Sequence, residues 1–292
     1  MEEDLDGLRL TLADGSLVQG EVVTMYDHRL WWDASEQSTR ALFDPAAWAP
    51  WPDDRSLRFV SDLDILSEEQ ISLGGAAPYE ESVREQGVSI QAMPLDVDGP
   101  ALVIMGNEGY HLEEDGYGDH AWDLVLTDPD GRRFTGTGAH NADYRVWDVP
   151  VRLPSPGVVV EIVRDAPDNF PGAYPEGAVN NLVGVWLGGQ LYLYLLHFRQ
   201  GSIPEDLEVG QALRAGTVLG RVGNSGVSLE PHLHLTVMYY DTHPVGEHGT
   251  VRTWSVPSQW SGMWSASSPQ GPATQQTWSQ PATGTWIDDQ AF

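Results

Sequence analysis

Histidine carries most of the chemistry available to this chain, which has nine histidines and no cysteine. Without a thiol, a disulfide, a thiolate metal site and a cysteine nucleophile are all excluded. His232 and His234 stand two residues apart in a segment with the pattern of a strand. Because residues i and i+2 of a strand face the same side, about 6–7 Å apart, both imidazoles can enter one cleft. One could then bind a metal while the other acts on a substrate.

Further polar residues extend this pattern. His197 closes an alternating apolar strand, and Asp123 follows His120 and His111 at the start of another. Aspartate with two histidines is a suitable zinc ligand set that leaves a coordination position open. Water held at such a position supplies hydroxide near neutral pH, and neighbouring neutral histidines can move protons or stabilise charge.

The elements that must position these residues are strands. Turn signals rich in glycine, proline and asparagine separate the apolar segments, and no long amphipathic helix is present. The segments are Val158–Val163, Leu182–Leu187, Leu191–Phe198, Thr217–Val222 and Leu233–Tyr239. We therefore predict an all-β domain with an antiparallel sheet over residues 97–246.

Three other regions flank this domain. Residues 1–66 show short alternating strands with an Asp14-Gly15 hairpin turn, which predicts a small β-barrel-like N-terminal domain. Residues 67–96 are interpreted as a connector in which Ser67 caps a short helix. Residues 247–292 form a tryptophan-rich C-terminal extension. Its aromatic side chains are expected to cover the β domain rather than to form a flat sugar or peptide site.

The charge of the chain excludes several partners. It has 43 acidic residues against 15 basic ones, all arginine, for a formal charge of −28. Such a chain is not expected to bind nucleic acid or anionic membrane surfaces.

No apolar run approaches the roughly 18 residues of a membrane span, and residues 1–6 show neither the basic region nor the apolar region of a signal peptide. The absence of lysine excludes a biotinyl or lipoyl carrier.

Four blocks of the chain, in order, resemble the lysostaphin-type zinc endopeptidases, which cut peptide cross-links in bacterial peptidoglycan. These blocks are residues 149–160, with Val149-Pro-Val and Ser155-Pro-Gly; Asn181–Gly188; Val209–Gly226; and His232-Leu-His234. The resemblance covers residues 100 to 240. Each block is weakly specific, but the ordered set includes both polar positions and the turn glycines.

The resemblance implies a role for each matching residue. Asp123 and His234 would be ligands of one zinc ion. His197 and His232 would be the catalytic histidines that activate the metal-bound water and stabilise the oxyanion of the attacked peptide bond. Asn181 would be a structural or substrate-binding residue. The family also implies an envelope or secreted location, and peptidoglycan or another peptide as substrate.

The third zinc ligand departs from the family spacing, which has a histidine four residues before the aspartate. Position 119 is aspartate here, and His120 is only three residues before Asp123. Residues i and i+3 of a strand face opposite sides, so His120 could reach the metal only through a bulge. His111 arrives from a loop without that constraint. We favour His111 and keep His120 as the alternative.

Two more departures concern the surroundings of the site. The family often has a tyrosine two residues before the catalytic histidine, but that position is Leu195, and Tyr194 should face the other side of its strand. The stretch between Asp123 and Val149 is long and predicts an inserted hairpin beside the cleft, which could redirect substrate choice.

The sequence is compatible with more than one function. The leading hypothesis is an active zinc endopeptidase. The alternative is a weak or inactive homologue that binds wall peptides or regulates a partner hydrolase. Inactive homologues usually lose metal ligands, whereas Asp123, His234, His197 and His232 are all present here. A phosphocarrier would explain the glycine-rich strands yet not Asp123 or the His232–His234 pair.

Overall fold

The computed structural model describes residues 4–23, 26–27, 39–43, 57–75, 89–106, 111, 120–188, 191–245, 250–255 and 258–292. Over these ranges the chain forms strands in four sheets, together with the short 3-10 helices Asp62–Asp64 and Asn141–Asp143. All strand pairs but one are antiparallel, which confirms the predicted all-β class. Among the described residues, no helix has the length and apolar character needed to cross a membrane.

The N-terminal part of the chain contains the strands β1 (Asp4–Leu12), β2 (Leu17–Val23), β3 (Tyr26–Asp27), β4 (Thr39–Phe43), β5 (Leu57–Ser61) and β6 (Ile65–Gly75). Five of them form an antiparallel sheet in the order β5–β4–β2–β1–β6, while β3 pairs elsewhere. The β1–β2 turn contains Gly15 at φ +82°, and Asp14 Oδ1 accepts a hydrogen bond from the Ser16 N–H at 2.8 Å. A small core of Leu8, Leu10, Leu42 and Val60 lies within this sheet.

The helix predicted to start at Ser67 is wrong. Residues 65–75 form β6, which pairs with β1 from Ile65 opposite Leu12 to Gly75 opposite Asp4. Backbone pairing with β1 along one side of this segment overrides a weak local helix preference. The segment lies at the edge of the sheet, where exposed Glu68 and Glu69 are well tolerated. The first part of the stretch interpreted as a connector is therefore a strand.

A twelve-stranded sheet dominates the rest of the described chain. The strands that follow β6 are β7 (Ser89–Ile90), β8 (Ala101–Met105), β9 (Trp122–Leu126), β10 (Pro150–Arg152), β11 (Gly157–Val163), β12 (Leu182–Gly188), β13 (Leu191–Leu196), β14 (Ala212–Leu213), β15 (Val218–Arg221), β16 (Leu233–Val245), β17 (Thr250–Ser255), β18 (Gln259–Ser261), β19 (Trp264–Ala266), β20 (Thr274–Gln275), β21 (Trp278–Ser279) and β22 (Trp286–Asp288). The large sheet runs β14–β11–β12–β13–β16–β9–β8–β22–β19–β20, with β17 beside β16 and β3 beside β17. Strands β10 and β15 form a pair, and β21–β18–β7 form a small sheet in which β7 and β18 are parallel.

Alternation along β13 and β16 separates the two faces of this sheet. Leu193 and Leu195 point into the main core together with the odd-numbered apolar residues of β16. Tyr194, Leu196 and Met238 point to the opposite face, where they form a smaller cluster. His234 is the direct partner of Leu196, so its side chain belongs to this second face.

The C-terminal extension is part of the sheet and of the core. Strand β22 pairs with β8, and Trp260 is fully buried with its ring 5.7 Å from that of Trp122. The Trp122 indole donates a hydrogen bond to the Pro281 carbonyl at 3.0 Å. Trp260 therefore buries apolar area, as expected for this extension, while the side chains of Trp254 and Trp278 lie outside the described residues.

Candidate active site

Asp123 is the centre of a cluster of histidines. It faces His234 directly across the β9–β16 pair, and its Oδ1 lies 2.9 Å from Nδ1 of His234. Nε2 of His111 lies 3.2 Å from Oδ2 of the same carboxylate, and Nε2 of His232 lies 3.5 Å from Oδ1. The fold thus brings together residues 111, 123, 232 and 234 around one buried carboxylate.

The two candidates for the third ligand, His111 and His120, lie in different surroundings. His111 donates its Nδ1–H to the Gly106 carbonyl at 2.8 Å, so its Nε2 is directed at Asp123. A backbone carbonyl that holds one ring nitrogen in this way is the usual support of a metal-binding histidine. His120 precedes β9 and is buried; among the described residues its Nε2 has no hydrogen-bond partner, and it belongs to neither group of possible metal ligands. The geometry therefore favours His111.

His197 and His232 face each other beside the carboxylate, with ring centroids 4.5 Å apart. Nδ1 of His197 donates to the Ser225 carbonyl at 2.7 Å, and Nδ1 of His232 donates to the Glu230 carbonyl at 2.8 Å. Carbonyl oxygens only accept, so both Nδ1 atoms carry the proton and both Nε2 atoms keep a lone pair when the rings are neutral. The two rings are fixed in orientation and in tautomer.

The backbone bends at His197 to place its ring in the site. Strand β13 ends at Leu196, and His197 has φ +67°, a left-handed conformation that is uncommon for a residue with a side chain. Hydrogen bonds on both sides hold it, from Gly223 N–H to the His197 carbonyl at 2.9 Å and from Phe198 N–H to the Asn181 carbonyl at 3.1 Å. Backbone strain of this kind persists where the surroundings enforce it, often at functional sites.

Asn181 supports this bend from inside the protein. Its side-chain oxygen accepts from Ala166 N–H at 2.8 Å, and its amide donates to the carbonyls of Ala166 and Phe198 at 2.8 and 3.0 Å. The residue is fully buried. This burial favours the structural role of the two predicted for Asn181, and the substrate-binding role stays a prediction.

The turn from Gly223 to Ser228 contributes residues that the sequence analysis did not single out. Ser225 supplies the carbonyl for His197, and its hydroxyl donates to the Phe198 carbonyl at 2.9 Å. The Asn169 amide donates to the carbonyls of Gly226 and Ser228 at 2.7 and 3.0 Å. Buried asparagines that bind backbone carbonyls carry no spacing signal in a sequence, because their partners are distant along the chain.

Gly226 is required by this turn. Its φ is +78°, and a Cβ at this position would collide with the side chain of Asn180. The Asn180 side chain in turn accepts a hydrogen bond from Val227 N–H at 3.0 Å. A glycine is therefore needed here both for the backbone conformation and for the close approach.

Burial and mutual charge set the protonation of the site. Burial alone would raise the pKa of Asp123, but the charge of His232 and hydrogen bonds from His111, His232 and His234 hold that pKa well below its ordinary value. Burial opposes charge on His111 and His232, yet the neighbouring carboxylate raises the pKa of both. Burial, reinforced by neighbouring histidines, lowers the pKa of His197 and of His234. Neutral His197 thus stands beside an ionised Asp123.

The donor set of His111, Asp123 and His234 fits a zinc ion. One ligand atom from each residue lies within 4.8 Å of the others, and all three residues are buried. Ligand atoms 2.0–2.1 Å from a tetrahedral ion stand about 3.3 Å apart. His111 Nε2 is 3.2 Å from Oδ2 of Asp123 and His234 Nδ1 is 2.9 Å from Oδ1, so each imidazole stands at about this distance from one carboxylate oxygen. A second group, His197, His232 and His234, also satisfies the 4.8 Å limit and shares His234 with the first.

Among known proteins, similarity to this chain was found in solved structures. No protein-family model and no curated protein matches the chain. Solved structures do match, among them a variant of the catalytic domain of the prophage-encoded M23 protein EnpA from Enterococcus faecalis, at 17% identity over 56% of this chain and 93% of that one, with a TM-score of 0.32. The structures matched include M23 and lysostaphin peptidase domains.

Two further matches are of the same kind. The catalytic domain of lysostaphin from Staphylococcus simulans is 19% identical over 48% of this chain and 79% of that one, with a TM-score of 0.27. A glycyl-glycine endopeptidase lytM, so described, from Ruminococcus gnavus is 17% identical over 62% of this chain and 68% of that one, with a TM-score of 0.34. Superpositions this loose say nothing about activity, so the functional assignment rests on the side chains at the site.

The remaining polar candidates lie apart from the site or outside the described residues. Tyr194 points to the opposite side of β13 from Leu195, and its hydroxyl donates to Glu161 Oε2 at 3.1 Å. His140 is exposed at the start of the second 3-10 helix. His28, His248 and the side chain of His243 are not among the described residues.

A cleft of about 850 Å³ borders the turn but not the chemical centre. It is lined by residues 162–167, 177–179 and 207–209 together with Asn169, Pro175 and Gly226. Neither Asp123 nor any histidine lines it. The cleft therefore reaches the turn that orients His197 without containing the groups that could perform chemistry.

Proposed function

We propose that the protein is a zinc metallo-endopeptidase that hydrolyses peptide bonds in the cross-links of bacterial peptidoglycan. The observation that carries this proposal is the convergence of three histidines on the buried Asp123 carboxylate, with the ring of His197 4.5 Å from that of His232. The cluster offers two groups of side chains: a set that includes a carboxylate and could bind a metal, and a pair of oriented imidazoles that could transfer protons. A peptidase needs both.

His111, Asp123 and His234 would hold the zinc ion. When bound, zinc lowers the pKa of a coordinated water and polarises the carbonyl of a substrate. Oδ1 and Oδ2 of Asp123 are directed at different imidazoles, and the Gly106 carbonyl fixes the ring of His111. This arrangement keeps the ligand atoms together before any metal arrives, which reduces the reorganisation on binding.

His197 and His232 would perform the proton transfers. The low pKa of His197, caused by burial and the adjacent histidines, keeps its ring neutral, so its Nε2 can accept the proton of the attacking water. Nδ1 of His232 is held by the Glu230 carbonyl and its Nε2 lies 3.5 Å from Oδ1 of Asp123, so this Nε2 could carry a proton and donate a hydrogen bond to the oxyanion. The same proton can then pass to the leaving amine.

The substrate class follows from the sequence motifs rather than from a bound ligand. Residues 149–160, 181–188, 209–226 and 232–234 resemble enzymes that cut peptidoglycan peptides, and an envelope or secreted location is part of the same proposal. We further propose that residues 97–246 form the peptidase domain and that residues 1–66 and 247–292 flank it. A net charge of −28 favours uncharged wall peptides over walls rich in anionic polymers.

Zinc content and peptidoglycan cleavage test the proposal together. Purified protein should contain about one zinc per chain by elemental analysis and should release new amino groups from peptidoglycan, identified by mass spectrometry of the fragments. The Asp123→Ala variant is the matched control and should lack both. Bound zinc without cleavage of any wall peptide would favour the non-enzymatic alternative, and no zinc after zinc is supplied would refute the metal site.

A further inference from the structure

The inserted segment between Asp123 and Val149 contacts the turn that precedes His232. Its residues 133–135 and 143–145 run antiparallel, with a bridge between Phe134 and Tyr144 and a hydrogen bond from Arg145 N–H to the Arg133 carbonyl at 2.9 Å. The Asn141 side chain donates to the Asn169 carbonyl at 2.7 Å. The hairpin predicted from the sequence is therefore present and is anchored beside the Gly223–Ser228 turn.

Glu230 connects this hairpin to His232. The Glu230 carbonyl accepts the Nδ1–H of His232 at 2.8 Å and the Ser228 hydroxyl at 2.9 Å. The Glu230 carboxylate is ion-paired with Arg133 of the hairpin. Backbone and side chain of one residue thus join the insertion to the imidazole that faces Asp123.

The Arg133–Glu230 pair is shielded from water more than an ordinary surface ion pair. The Glu230 side chain is 21% exposed and that of Arg133 is 37% exposed. Tyr144, which is buried, lies against the same carboxylate: burial and the negative charge of Glu230 raise the pKa of its hydroxyl. Arginine and tyrosine from one hairpin therefore restrain the same glutamate.

We propose that Arg133 is a positioning residue for His232, acting through Glu230. By restraining the Glu230 side chain, Arg133 fixes the carbonyl that selects the Nδ1–H tautomer of His232 and directs its Nε2 at Asp123. This inference rests on the proposed function for its catalytic consequence but not for the orientation of the ring. It gives the insertion a role in catalysis without contact between the insertion and the substrate.

Arg145 provides a matched control. Arg145 belongs to the same hairpin as Arg133, and its side chain is 34% exposed, similar to that of Arg133. Its ion pair, at 2.9 Å, is with Asp128 rather than with Glu230. The experiment compares Arg133→Ala, Arg133→Lys and Arg145→Ala, all zinc-loaded. Each is assayed for kcat and KM on peptidoglycan fragments, for zinc content, and for the His232 tautomer by NMR of 15N-labelled histidine.

We expect Arg133→Ala to lose about tenfold to a hundredfold in kcat, a loss of the size seen when an orienting partner is removed. Its KM and zinc content should stay unchanged, and its His232 should become a mixture of tautomers. Arg133→Lys should recover most of kcat, and Arg145→Ala should match the wild type. Equal losses in Arg133→Ala and Arg145→Ala, or an unchanged His232 tautomer in Arg133→Ala, would overturn the inference. If the wild type cleaves no peptide, the proposed function fails while the NMR comparison still decides the inference.

Discussion

Asp123 and His234 are direct partners across the antiparallel strands β9 and β16, and Oδ1 of the carboxylate lies 2.9 Å from Nδ1 of the imidazole. Paired residues of adjacent strands project from the same face of a sheet. A shift of one residue in this pairing would move one of the two side chains to the main core. The register of β9 on β16 therefore determines whether the candidate metal ligands Asp123 and His234 meet.

Zinc binding should require Asp123, His234 and His111 but not His120. Replacing Asp123, His234 or His111 by alanine removes one of the converging ligand atoms, so each variant should lose most of its zinc by elemental analysis. His120→Ala should keep about one zinc per chain, because His120 lies in neither candidate metal group. His140→Ala, at an exposed position, controls for loss of a histidine as such. Retention of zinc by His111→Ala with loss by His120→Ala would contradict the ligand set.

Turnover should depend on His197 without a change in metal content. His197→Ala should keep its zinc and lose about a hundredfold to ten-thousandfold in kcat, the range for removal of a general base. The measurements are zinc content and the rate of release of amino groups from peptidoglycan. If His197→Ala lost its zinc, the division between ligands and proton-transfer residues would be wrong, and the second metal group would become the better candidate.

Acid stability should depend on His120, whose pKa burial lowers to about 3. The unfolded chain takes up this proton near pH 6.5 and the folded protein does not, so stability is present above about pH 6.5 and is lost as the pH falls towards 3. Between pH 6.5 and 4.5 this loss amounts to about 2 kcal/mol. Urea unfolding of metal-free protein should show a shallower pH dependence for His120→Leu than for the wild type. If the unfolding free energies of the two proteins changed with pH in parallel, His120 would take up its proton at the same pH in the folded and the unfolded chain.

The turn that orients His197 should be sensitive at Gly226 and tolerant at Gly172. Both glycines have positive φ, but an added Cβ would collide with Asn180 at Gly226 and would meet nothing within 4 Å at Gly172. Gly226→Ala should therefore destabilise by about 2 kcal/mol or more and reduce kcat, since the Ser225 carbonyl moves. Gly172→Ala should cost about 1 kcal/mol and leave kcat unchanged. Thermal unfolding and kcat together check this, and equal effects would exclude a specific role for the Gly226 turn.

Strand patterns and polar spacing in the sequence predicted the broad outline. The sequence placed strands at residues 158–163, 182–187 and 191–198, and a strand was found at each, although the last one ends at Leu196, before His197. The failure at Ser67 has a simple cause: the polar run Ser67–Gln70 resembles the first turn of a helix, but β1 offers it a complete ladder of backbone hydrogen bonds. Local preference amounts to tenths of a kcal/mol per residue and yields to such pairing.

The sequence by itself determined the types of residue at the site and the period that places His232 and His234 on one side of the chain. Because histidine and aspartate are rare in apolar strands, their spacing was visible without a structure. Only the tertiary structure placed His111 rather than His120 beside the Asp123 carboxylate, buried Asn181 in the interior, and joined Arg133 to His232 through Glu230. Those relationships depend on contacts between residues far apart in the chain, or across a loop, and spacing along a sequence carries no information about which of them form.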